Sequence, residues 1–364
     1  MARLKNLGVT TTGVNPPPTC LLCEMEIPYV HDSGIAGCPT WDRTPESDQL
    51  LKCQWRGYWR SRLKHVMVPS IQIEEACFGD MPRLWSCFCR AIIKESDTKY
   101  HLTGINMLQE RSSEPYHLPK DPTIARIGGR KNARYDNATF IEFYAAKMKR
   151  QPSQYKGQRL GFIIHAHCWI LFGRALGAMP TEIKLAKFIQ SSRNHWRKEN
   201  LHGLTDHNIN WVKPNQALSE REHSCDIYQN PLVIPALQEV ITRANTGHSI
   251  FPCFSKLPID ITVLISEWVC PADYTLDDVA NMRNMLFTFQ WNLPDWFWRR
   301  RLQEDLFFEL DILRKSSSPV NWQGLRLDLM SLVSDRTWYT TRGLANRERI
   351  LRNVAAIGRG AGMS

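Results

Sequence analysis

The apolar positions of this chain recur in two rhythms, and each rhythm marks a kind of element. Between Glu46 and His65, Leu50, Leu51, Trp55, Tyr58, Trp59 and Leu63 fall three and four residues apart, which predicts an amphipathic helix stopped by Pro69. The same spacing predicts a helix over about 137–150, on Phe140, Phe143, Tyr144 and Met148. It predicts another over about 181–200, with Ile183, Leu185, Phe188, Ile189 and Trp196 inward. The short run Arg159–His165 reads instead as a strand that feeds a helix beginning near Cys168. Leu84–Cys89 is an apolar piece suited to a strand or a buried loop. Residues 119–136, with Pro119, Pro122 and Gly128-Gly129-Arg130-Lys131, read as a basic exposed loop. Residues 201–229 are polar and irregular, and Pro231–Ala244 reads as a short helix with Pro235 in its first turn.

From Phe254 onward the pattern changes to closely spaced short helices. Pro258 stands where a first-turn proline is welcome, because it has no amide hydrogen to leave orphaned. Behind it Ile261, Leu264, Ile265, Trp268 and Val269 form one apolar helical stripe, ended by Pro271. Thr275-x-x-Asp278 has the form of a capping box, with Asp in place of Glu, ahead of a second helix carrying Leu276, Val279, Met282 and Leu286 on one face. A third segment, Leu293–Leu302, places aromatics before a basic run, where cations complement the helix dipole. The expected fold class is mainly α with minor β (α+β). The expected organisation is a flexible lead-in over 1–19, which ends in three prolines, a mixed α+β domain over 20–250, a three-helix module over 254–302 and a helical tail over 303–364.

That module resembles the F-box. The residues that carry the resemblance are Leu257-Pro258-Ile259-Asp260-Ile261, Leu264-Ile265, Trp268-Val269, the Leu276–Arg283 helix and the close Phe297-Trp298-Arg299-Arg300-Arg301. The aromatic–basic ending is similar to fungal F-box proteins. So is the tail, with Leu306–Asp311, Trp322 and Leu344-Ala345-Asn346-Arg347-Glu348-Arg349-Ile350. The chain departs from the family over Asn284–Trp291, which stands where a standard F-box carries a valine-cysteine-arginine-like segment. The resemblance implies a non-catalytic substrate receptor that docks on a Skp-family adaptor and, through it, a cullin ubiquitin ligase. It implies Leu257, Pro258, Ile261, Leu264, Ile265, Leu276 and Val279 as the anchors of that docking, with a protein substrate that the sequence does not identify.

A second candidate site joins distant segments. Cys20-Leu21-Leu22-Cys23 has the spacing that lets two thiolates reach one metal, and His165-Ala166-His167-Cys168 offers a His-x-x-Cys pair where a strand meets a helix. The fungal proteins that this chain resembles often carry a similar early cysteine pair and a later His-x-x-Cys-Trp. Cys20, Cys23, His165 and Cys168 are the expected ligands of a structural zinc, with His167 as the alternative nitrogen donor.

Composition narrows the remaining classes. Eleven cysteines are an odd number in a chain of 364 residues, long enough to bury a core without a disulfide framework. No secretory signal follows Met1-Ala2-Arg3, and no apolar run approaches the length of a membrane span, so a cytoplasmic or nuclear protein is expected, with no membrane partner. Phosphate loops, nucleophile elbows, metalloprotease helices and dinucleotide fingerprints are absent from the sequence, which predicts no enzyme activity. The net charge of +10 is uneven: residues 111–160 hold eleven Lys and Arg against four Asp and Glu. That stretch supports the rival expectation, a basic zinc-containing nucleic-acid-binding protein. Few aromatics that could stack bases accompany it, so nucleic acid is not the expected partner.

Overall fold

A computed structural model describes residues 19–25, 27, 30–31, 34–35, 65–76, 78, 82–96, 99–107, 118–128, 142–143, 160–177, 182–200, 226–246, 257–271, 273–300, 302, 305–315 and 319–363. The chain divides into two compact units. Residues 1–233 and 346–364 form the first, and residues 234–345 form the second. The first is a mixed α/β structure with a sheet at its core; the described part of the second is helical.

In the first unit the strands are β1 Val30–His31, β2 Gly34–Ile35, β3 His65–Pro69, β4 Phe88–Lys94, β5 Tyr100–Leu102, β6 Asn106–Met107, β7 Ile124–Gly128, β8 Glu142–Phe143 and β9 Leu160–His165. The main sheet runs β5-β4-β9-β8, with β6 also paired to β4. Its centre is the antiparallel pair of β4 and β9, in register from Cys89 opposite His165 to Lys94 opposite Leu160. Both strands are largely apolar and rich in aromatic and β-branched residues, as befits strands covered on both faces, and Phe88, Ala91, Ile92, Ile163 and Ile164 are buried. The buried charge of β4, Arg90, pairs with buried Glu74 and donates to the carbonyls of Thr103 and Pro122. Glu74 closes α1, the single turn Ile71–Glu74. From β9 the chain turns directly into α2, Ala166–Ala175, and then α3, Glu182–Asn200. Leu185, Phe188, Ile189 and Trp196 of α3 are buried as the periodicity predicts, and Phe188 packs on Phe172 of α2 with ring centroids 4.6 Å apart.

Several expectations change in this unit. The segment 119–136 is not a loop throughout: Ile124–Gly128 is strand β7, antiparallel to β3, and Ala125, Arg126 and Ile127 are buried. Glu142–Phe143, inside the helix expected over 137–150, is strand β8, paired parallel with β9. Leu84–Cys89 splits into a 3-10 turn over Pro82–Cys87 and the start of β4. The helix expected over 46–65 lies outside the described residues except for His65, which opens β3. The lead-in 1–19 and the segment 201–229 fall outside the described residues except for residues 19 and 226–229.

In the second unit the helices are α4 Pro235–Thr246, α5 Ile259–Val269, α6 Leu276–Phe289, α7 Asp295–Arg299, α8 Leu310–Lys315, α9 Trp322–Ser334 and α10 Arg336–Thr341. Helix α9 lies at the middle, against α4, α6 and α7, and buries Trp322, Leu325, Leu329 and Met330. Local chemistry sets the boundaries. Pro258 and Pro294 precede α5 and α7, and Asn321 accepts from the amide of Gly324 to cap α9. Thr275 and Asp278 form the reciprocal capping box at α6 that their spacing predicts. The last helix, α11 Leu344–Ala361, belongs from Asn346 onward to the first unit, so the tail read as one segment is shared between the two. Among the described residues no helix is long and apolar enough to cross a membrane.

Candidate metal centre and exposed apolar face

The metal centre begins with a turn. Residues 20–23 curl so that the Glu24 amide donates to the Cys20 carbonyl at 2.9 Å and the Cys20 amide to the Met25 carbonyl at 2.8 Å. Glu24 completes the curl at φ 63°, a left-handed conformation uncommon for a residue with a side chain. The turn is tied to β9, where the Leu21 amide donates to the Ile163 carbonyl at 3.0 Å. His165 ends β9 and precedes the first residue of α2, so Cys168, one turn further on, comes back to the same point. The donor atoms of Cys20, Cys23, His165 and Cys168 all lie within 4.8 Å of one another, and all four residues are buried. A tetrahedral ion with bonds of about 2.3 Å to sulfur holds its donors roughly 3.8 Å apart, so the four need only a small contraction.

The donors also approach one another in pairs. Nδ1 of His165 lies 3.2 Å from Sγ of Cys23 and 3.9 Å from Sγ of Cys168. The amides of Leu22 and His165 approach Sγ of Cys20 at 3.5 and 3.4 Å, which favours its thiolate. Burial would raise the Cys20 thiol, but hydrogen bonds from Cys168 and Cys23 and the charge of His165 hold it well below its usual value. Burial likewise opposes charge on His165, yet Cys23 and Cys20 push it up to about 10. Burial, together with hydrogen bonding to Cys20 and Cys23, raises Cys168. The interior thus favours negative charge on the Cys20 sulfur and positive charge on the His165 ring, an arrangement that a divalent cation would take over as protons leave.

His167 is not part of this set. It is buried beside Phe78 and Trp85, and burial together with neighbouring His165 pushes it down to about 3. Cys89 sits opposite His165 in the sheet but turns its sulfur toward the Asn106 carbonyl at 3.4 Å, and burial keeps its thiol protonated. Trp85 covers the ring of His165, with centroids 4.9 Å apart. Two further residues escaped the sequence reading. Trp196 donates to the Leu21 carbonyl at 2.7 Å, and Arg349 donates to the Cys23 carbonyl at 2.9 Å. Nothing local signals either contact, because each residue lies more than 170 positions from the turn it holds.

The second unit presents the other candidate site. On α5 the apolar stripe faces outward: Ile261, Leu264 and Trp268 are 47%, 63% and 88% exposed. The buried residues of that helix are Thr262 and Ser266, whose hydroxyls fold back onto the carbonyls of Pro258 and Thr262. Leu257, Pro258 and Leu276 are exposed and Ile265 is half-buried. Val279, expected among the anchors, is instead 1% exposed and belongs to the core of its own unit with Met282 and Leu286. Phe287, Phe289 and Trp296 add exposed aromatics, the last under the guanidinium of Arg300, which also pairs with Glu267 at 2.8 Å.

Most of the basic stretch 111–160 lies outside the described residues; within it, Arg126 is buried rather than presented to a partner. No family model matches the chain, and neither the curated proteins nor the solved structures include a match to it.

Proposed function

We propose that this chain is a non-catalytic F-box protein, a substrate receptor that docks through its second unit on a Skp-family adaptor of a cullin ubiquitin ligase, and that its first unit is held together by a structural zinc. The observation that carries the reading is the reversal of α5, with small hydroxyl residues inside and large apolar residues outside. A helix that served only its own unit would bury that stripe. A row of aliphatic and aromatic side chains at helical spacing is the surface that helix-in-groove recognition uses. Its anchors are Leu257, Pro258, Ile261, Leu264 and Leu276, with Ile265 at their edge; Val279 supports α6 from beneath.

The zinc assignment is supported by the donor set. Three thiol sulfurs and one imidazole nitrogen suit zinc, and four protein ligands leave no open position for a reacting water. Elemental analysis of purified protein is expected to find about one zinc per chain, and Cys20→Ser with Cys23→Ser to lose it. Full metal retention in that double variant would sink the assignment. For the docking face, calorimetry with a purified Skp-family adaptor is expected to detect binding that Leu257→Ala with Pro258→Ala weakens by about 2–4 kcal/mol while the fold persists. An adaptor that does not bind the folded, metal-loaded protein would remove the ligase reading.

A further inference from the structure

We propose that Arg349 is a positioning residue of the metal centre, through which the helix formed by the last residues of the first unit controls how firmly the ion is held. The inference rests on the zinc reading of the Cys3His cluster and goes beyond its ligands.

The Cys20–Cys23 turn is poorly suited to hold its own shape. It needs Glu24 at positive φ, where glycine is the usual occupant, so external contacts must keep its two sulfurs aimed at His165 and Cys168. The Leu21 carbonyl is held by Trp196 and the Cys23 carbonyl by Arg349. The second contact is a charge-assisted hydrogen bond made at the ligand residue itself. Arg349 is in turn fixed. Its Nη2 donates to Oδ1 of Asn346 at 2.8 Å, and Nδ2 of Asn346 donates to the carbonyls of Ile227 and Gln229 at 3.0 and 2.9 Å. Fully buried Arg347 donates to the carbonyls of Pro231 and Leu232.

The far end of the helix is seated as closely. The Ser191 hydroxyl donates to the Ile357 carbonyl at 2.7 Å, and a Cβ on Gly360 would come within 2.4 Å of that hydroxyl. Segment 346–363 is therefore anchored along its length, and Arg349 carries that anchoring to the carbonyl of a metal ligand. Coupling of this kind is reciprocal: a helix that secures the ion is itself secured by the ion.

The test compares Arg349→Ala and Arg349→Lys with Arg352→Ala, an exposed control on the same helix whose partner is Glu348. Competition with a chromogenic chelator is expected to show metal affinity falling about 10–100-fold in Arg349→Ala, the range for outer-shell partners of metal ligands. Arg349→Lys, which keeps one charged donor, is expected to recover part of the loss, and Arg352→Ala to match wild type. Cobalt-substituted Arg349→Ala is expected to keep the charge-transfer bands of three thiolates while releasing its ion faster. If Arg349→Ala does not fold, amide exchange of the wild-type helix carries the test, with faster exchange expected over 346–361 after chelation. Metal-bound wild type that loses no helix protection on chelation, or a folded Arg349→Ala that holds metal as tightly as wild type, would overturn the proposal alone. Wild-type protein that binds no zinc would overturn the zinc reading and this proposal with it.

Discussion

The two units break the rule of apolar inside and polar outside in opposite senses. The first hides polar groups: Cys20, Cys23, His165, Cys168, Glu74 and Arg90 all lie in its interior. The second shows apolar ones, with Leu264, Trp268, Phe287 and Phe289 more than half exposed. Each departure calls for a different remedy. A buried polar set must be neutralised from within, by an internal partner such as Arg90 for Glu74 or by an ion held among the sulfurs. An exposed apolar set finds no such partner inside its own unit and marks a surface that a second molecule could cover.

The sharpest way to break the comparison is to remove one buried partner. Glu74→Leu is expected to destabilise the first unit by about 3–5 kcal/mol in urea titrations, because the Arg90 guanidinium stays buried without its counter-charge. Adding Arg90→Met should recover most of that loss. A single variant that costs less than about 1 kcal/mol would mean the pair is solvated.

The second unit should respond unevenly. Leu329→Ala, in the buried face of α9, is expected to cost about 2–5 kcal/mol. Trp268→Ala, 88% exposed on α5, is expected to change stability by no more than about 0.5 kcal/mol. Equal losses in thermal unfolding would show that the α5 stripe is core after all.

A smaller effect tests whether α6 is held by local chemistry. Thr275→Ala removes the hydroxyl that accepts from the Asp278 amide and is expected to cost about 1 kcal/mol, with adaptor affinity retained. The smallest effect is one of pH. Hydrogen bonds from the Thr275 amide and hydroxyl favour the Asp278 carboxylate and hold it below the usual range. A depressed carboxylate contributes stability above its unfolded value, and that stability is lost as pH falls through the folded one. The stability gap between wild type and Asp278→Asn should therefore be constant near neutrality and close only below about pH 4. A gap that widens in acid would contradict the cap.

Local features were legible in the sequence; apart from the Cys3His cluster, pairings across the chain were not. The four clustered side chains lie in two short motifs with ligand spacing, and the capping box is a four-residue signal, so both could be read without the fold. Strand β7 was hidden because Pro122, Gly128 and the five basic residues of segment 119–136 imitate a loop, while Arg126 is carried inside by its pairing with β3. Phe143 met the helical period, but a parallel partner in β9 decided its conformation. Periodicity located the stripe of α5 and was silent on which way it faces, since an outward and an inward stripe have the same spacing. Arg349 stands in the tail that resembles fungal F-box proteins, but nothing local tied it to the metal turn: an arginine in a charged helix reads as solvated until its partner, 326 residues away, is known.

The order of the segments has a consequence for biosynthesis. The second unit is one unbroken stretch, 234–345, inserted between the two parts of the first. At about 5–20 residues per second, a ribosome that has finished Val233 needs roughly 6–23 s to reach Asn346, 113 positions later. During that interval all four clustered side chains have been synthesised and Arg349 has not. The nascent first unit thus waits with its four clustered side chains made and Arg349 missing while the second unit is being synthesised.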